Sequence, residues 1–158
     1  MYFLTLLPAL FLLATCSSPS TMNKSSDERS ELVFGQYYLS RGGAHSDIFK
    51  LTNDAIYEDK RHEHPGTDSP YAGDYSEMTD EKFKAIQKMN INLPQALLDT
   101  PDGNIGCPGC ADGMSIYISI EVDGKQRFWL IDMGKSNIPK ELHGLVDQID
   151  KAVSILTE

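Results

Sequence analysis

Positive charge is in short supply in this chain. Fourteen Lys and Arg stand against 23 Asp and Glu in 158 residues, a formal net charge of −9. An acidic body of this kind is repelled by phosphate backbones and anionic headgroups, which argues against nucleic acid as a partner and against charge as the means of holding a membrane. Residues 2–15 carry no charge at all, yet this apolar stretch is shorter than the roughly 20 residues a spanning helix needs, and Pro8 interrupts it. A nucleophile elbow, a phosphate-binding glycine loop and a helical zinc signature are also missing. Those absences lower the expectation of an enzyme, and the sequence implies no cofactor and no metal. Cysteine is sparse, at Cys16, Cys107 and Cys110, and Trp129 is the single tryptophan.

What is present starts with the order of the leader. The apolar run ends in Leu13-Ala14-Thr15-Cys16 and gives way at once to Ser17-Ser18-Pro19-Ser20-Thr21. A run this short reads as the apolar region of a secretory signal. The pattern resembles a bacterial lipoprotein signal, which implies cleavage before Cys16 and a lipid on that cysteine. Ser17 behind it implies the outer membrane of a Gram-negative envelope. Ser17 to Glu31 is polar and poor in apolar side chains, so it cannot offset its ordering entropy and reads as a tether with a reach of about 20 Å. The expected organisation is a signal peptide over 1–15, a lipidated cysteine and tether over 16–31, and one domain over 32–158.

Within that domain, Leu32 to Leu39 is rich in β-branched and aromatic residues and predicts a strand, closed by Ser40-Arg41-Gly42-Gly43 as a turn. Two short strands follow at Asp47–Leu51 and Ala55–Glu58-Asp59. Lys60 to Ser76 holds Pro65, Gly66, Pro70 and Gly73 with hardly an aliphatic side chain, and reads as a long, mobile surface loop. Thr79, Asp80 and Glu81 open a helix whose Phe83, Ile86 and Met89 face the core. A short inward turn around Leu97 comes next.

Met114, Ile116, Ile118 and Ile120 alternate with Ser115, Tyr117, Ser119 and Glu121, the pattern of a strand with one buried face. Asp123-Gly124 turns it into Lys125–Ile131. A three-residue loop pairs Glu121 with Lys125 and sets Phe128 and Leu130 beside the isoleucines. A two-residue loop would put Lys125 and Arg127 there, so the first register is expected. Pro139 starts a last helix with an apolar stripe from Leu142 to Leu156. The expected fold is α+β, an antiparallel sheet of about five strands in the order βββ-α-ββ-α, with two helices on one face.

Cys107-Pro108-Gly109-Cys110 is the one local motif with chemical content. Two thiols at this spacing can close a disulfide, chelate a soft metal or exchange with other thiols. A strand, not a helix, follows them, and no second cysteine pair completes a zinc site, so a disulfide between Cys107 and Cys110 is expected, with thiol redox or metal binding as the alternative. His62-Glu63-His64 reads as solvated loop histidines and His143 as partly buried. Tyr71, Tyr75, Tyr117 and Trp129 are candidate contact residues for an unknown protein or glycan.

Two resemblances complete this reading. Cys107-Pro108-Gly109-Cys110-Ala111-Asp112, Ile116-Tyr117-Ile118, Asp123-Gly124, Trp129, Ile131-Asp132 and Pro139 with Leu142-His143, together with Phe34-Gly35-Gln36-Tyr37-Tyr38 and Ile48-Phe49-Lys50-Leu51, resemble a set of small Gram-negative lipoproteins. That resemblance implies a membrane anchor through the lipid and no particular activity. The order of elements, with Gly42-Gly43, Asp112, Tyr117 and Pro139 at the corresponding places, is similar to emfourin-type inhibitors of thermolysin-like metalloproteases. It implies a non-catalytic binding or inhibitory module.

Overall fold

A computed structural model describes residues 31–40, 43–110, 113–122 and 124–158. The leader, Cys16 and Asp112 lie outside the described residues. Strands β1 (Glu31–Ser40), β2 (Gly43–Thr52), β3 (Ile56–Asp59), β4 (Tyr75–Glu77), β5 (Gly103–Ile105), β6 (Ser115–Val122) and β7 (Lys125–Asp132) form one sheet in the order β4-β3-β2-β1-β6-β7-β5. Helices α1 (Asp80–Met89), α2 (Gln95–Leu98) and α3 (His143–Thr157) accompany it, α3 entered through a 3-10 turn at Lys140–Leu142 just after Pro139. None of these helices is long and apolar enough to cross a membrane.

The α+β class holds, but the sheet is larger than expected. β4 and β5 are three-residue strands without a hydrophobic period of their own, placed by pairing with β3 and β7 and by the packing of Tyr75 and Ile105. β5 runs parallel to β7, so the sheet is not wholly antiparallel. Such short edges are defined by their neighbours rather than by local propensity.

The β6–β7 register also differs. Val122 pairs with Lys125, Ile120 with Arg127 and Ile118 with Trp129, which sets Trp129 and Ile131 beside the isoleucines and sends Phe128 and Leu130 to the opposite face. The expectation assumed that one face was wet. In fact both are covered: Leu32, Val33, Phe34, Gln36 and Tyr37 of β1 are all buried. Arg127 is accommodated at the rim of the isoleucine face by stacking on Trp129, with its guanidinium carbon 4.7 Å from the ring centre. Its Nη1 and Nη2 donate to the carbonyls of Leu98 and Thr100 at 2.6 and 2.7 Å, and its Nε to Asp102 at 2.8 Å. One side chain thus caps α2 and ties it to the sheet.

On the helix side, Leu32, Phe34, Phe49, the β6 isoleucines and Trp129 pack against Ile86, Leu97 and the Leu145–Leu156 stripe of α3. Gln36 reaches from β1 to donate to Asp150 of α3 at 2.7 Å. On the other side a second cluster, made of Val33, Tyr37, Ile48, Tyr117, Phe128 and Leu130, meets Tyr71 and Tyr75. Gly35 lets β1 and β2 close at this point, since a Cβ there would stand 2.1 Å from the Asp47 carbonyl oxygen.

Candidate functional site

The segment from Lys60 to Asp74 is no loose excursion. It folds back over the second face of the sheet because Asp59, at the end of β3 and with no exposed surface, gathers its donors. Oδ2 accepts from the Tyr71 hydroxyl at 2.7 Å and the His62 N–H at 3.1 Å, and Oδ1 from the Asp74 N–H at 2.7 Å. The base of the loop is closed by Lys60 N–H to Asp74 O at 2.8 Å, and its far arm by Tyr71 N–H to the Tyr117 hydroxyl at 2.7 Å. A buried carboxylate is tolerated only when its lone pairs are occupied in this way. Burial raises the Tyr37 hydroxyl to about 12 and pushes Tyr117 above its ordinary value. Tyr71 and Tyr75 rise too, from burial first and then from the Asp59 carboxylate.

The histidines of this loop are structural. His62 sits at φ 51° and places Nδ1 2.9 Å from the Ser46 carbonyl; because a carbonyl only accepts, that nitrogen carries the proton. Its ring stacks on His45 with centroids 5.8 Å apart, and Asp47 lies 3.3 Å from His45 Nε2. His64 meets Tyr37 edge-on at 4.8 Å and accepts the Gly66 N–H at 3.0 Å, and burial lowers its pKa. Among the described residues no group of three His, Cys, Asp or Glu is placed to hold a metal ion.

Cys107 and Cys110 stand at disulfide distance, with Cα atoms 5.5 Å apart, across an exposed turn. Asp132 at the end of β7 organises that turn. Its carboxylate accepts from the Gly134 N–H and Asn137 Nδ2, both at 2.7 Å, and from the Cys107 N–H at 3.2 Å. Its partial burial favours the neutral form, but these donors prevail and hold its pKa below the usual value.

A concave site lies where the start of β1 and the end of β2 meet the C-terminal end of α1. This half-open cleft has a volume of about 270 Å³. Leu32, Leu51, Phe83, Ile86 and Ile91 form its floor, and Glu31, Thr52, Asn53, Gln87 and Asn90 its rim. Two rim amides ride on fixed turns. Thr52 Oγ1 accepts the N–H groups of Asp54 and Ala55 at 3.3 and 3.1 Å, which pins the β2–β3 corner beneath Asn53. Asn90 ends α1 at φ 47° with its N–H on the Gln87 carbonyl, the left-handed cap that Asn tolerates. Glu31 is paired at 3.9 Å with Lys50.

Of the candidate contact residues, Tyr117 and Trp129 are completely buried, which corrects the expectation of exposed aromatics. The Tyr117 hydroxyl anchors the loop, and Trp129 Nε1 donates to Thr100 O at 3.1 Å. Tyr71 and Tyr75 are half-buried in the second cluster. Tyr71 in the loop and Tyr75 at the start of β4 bring large rings that the sheet buries. The structure therefore brings Tyr71, Tyr75 and Tyr117 together as packing, far from what the cleft presents. Of the residues carrying the inhibitor resemblance, Tyr117 is buried and Pro139 exposed, while Gly42 and Asp112 lie outside the described residues. The apolar cleft residues Leu32, Leu51, Phe83 and Ile86 were legible only as strand and core positions, and nothing in the sequence marked Asn53, Gln87 and Asn90 as sharing a cleft with them. No protein-family model and no curated protein matches this chain.

Proposed function

We propose that the protein is an envelope lipoprotein, anchored by a lipid on Cys16 at the outer membrane of a Gram-negative bacterium, whose folded domain is a non-catalytic binding module. Inhibition of a protease is the sharpest form of that reading. The observation that carries it is the division of labour among side chains. The buried carboxylate Asp59 and the half-buried Asp132 accept hydrogen bonds from the segments around them, whereas the concave cleft is lined mainly by apolar groups and amides, with Thr52 and Glu31, the latter 3.9 Å from Lys50, completing its rim. A lining dominated by apolar groups and amides suits holding a ligand.

The test uses the full chain in its own membrane. Metabolic labelling with a palmitate analogue is expected to mark the protein and to fail on Cys16→Ser; labelling that survives the substitution removes the anchor. Pull-down from solubilised envelope, with assays of thermolysin-like proteases alongside, is expected to recover a saturable partner or inhibition. Recovery of neither removes the binding module.

A further inference from the structure

We infer that the cleft between α1 and the β1–β2 ends is a saccharide site, taking one uncharged sugar ring at a time. This rests on the binding-module reading and names its ligand class. Size is the first argument. About 270 Å³ lies just under the range of drug-sized pockets, enough for a single ring or one amino-acid side chain.

Chemistry separates those two occupants. A peptide that adds as a strand would need a free strand edge. The strands beside the cleft offer none, since β1 lies between β2 and β6, Leu32 pairing with both Leu51 and Ile120, and Leu51 also pairs with Ile56. Recognition must therefore run through side chains. Asn53, Gln87 and Asn90 supply amides that both donate and accept, matching hydroxyl groups that do the same. Phe83 and its aliphatic neighbours offer an apolar floor for the C–H face of a ring. Charge agrees: among the described residues the rim carries one carboxylate, Glu31, 3.9 Å from Lys50, and the body carries −9, so an anionic ligand is disfavoured.

The test is nuclear magnetic resonance titration of the detergent-solubilised full chain with N-acetylglucosamine, its β-1,4 dimer, glucose and a neutral tripeptide, each alone. The expected result is saturable shifts at Leu51, Asn53, Phe83, Gln87 and Asn90 with at least one of the sugars and none with the tripeptide. Asn53→Ala combined with Asn90→Gly, the latter keeping the left-handed cap, is expected to weaken that sugar by about tenfold or more. His45→Gln, distant from the cleft, should leave it unchanged. Cleft shifts with the tripeptide and not with sugars overturn the saccharide assignment while the module reading stands. No cleft shifts with any sugar, alongside a partner captured equally by the double variant, overturn the site but not the module. If no partner is captured and no sugar binds, both fall.

Discussion

The two faces of the sheet are covered by different physics. The helix face is sealed by aliphatic burial, with α1 and α3 presenting residues at helical spacing to the β6 isoleucines and Trp129. The loop face is sealed by a segment almost without aliphatic side chains, held by one buried carboxylate and a few tyrosines. Burial on the first face is non-directional and roughly proportional to area, so small losses are shared. The second face depends on a few directional bonds, each leaving an unsatisfied partner when broken. One sheet can therefore carry a cover that belongs to the global fold and another that opens locally.

Substitutions on opposite faces should break this comparison most sharply. Trp129→Ala is expected to cost about 4 kcal/mol and to lower the urea midpoint of the whole domain. A smaller loss confined to the loop would show that the helix face is not the common core. Asp59→Ala is expected to cost about 3 kcal/mol, leaving the Tyr71 hydroxyl and the His62 and Asp74 N–H groups without their acceptor. Its signature is proteolytic cleavage between residues 60 and 74 while hydrogen exchange in α3 stays slow; fast exchange in α3 would mean that the two covers are one unit.

Arg127→Ala, which removes bonds to Leu98, Thr100 and Asp102 at a partly exposed rim, should cost about 2 kcal/mol and loosen α2 alone. The smallest effects come from titration. His64 has a lowered folded pKa, so its contribution is complete above the ordinary histidine value and is lost as pH falls through that lowered value. His64→Gln should flatten the part of the acid-side stability slope that the Gly66 amide reports by hydrogen exchange, and an unchanged slope would refute this. At the alkaline end the sign reverses. Tyr37, Tyr71, Tyr75 and Tyr117 are raised, so their contribution holds below the ordinary tyrosine value and is lost as pH climbs through their folded values, Tyr37 at about 12. Ultraviolet titration should show these rings ionising late and together with loop release.

Legibility followed the same division. α1, α3, the short turn at Leu97, β1 and the β6–β7 pair could be read from period and turn chemistry, because each has its own apolar pattern. The register of that pair could not, because choosing it required knowing that Phe128 and Leu130 would be buried by residues far away in the chain. Asp59 was one acid among 23 Asp and Glu, with nothing local to mark it. Tyr117 and Trp129 were visible as large aromatics but not as buried ones, since an aromatic ring suits a core and a contact surface equally.

The amino-acid order by itself determined the α+β class, the main strands and helices, the cysteine pair and the acidic balance, all of which depend on near neighbours or on composition. Only the tertiary structure decided which face each β7 residue occupies, that the long loop is a cover, and that amides from the β2–β3 corner and from the end of α1 rim one cleft. Those are meetings of residues distant in sequence, and they are settled by where burial and hydrogen-bond satisfaction are reached together.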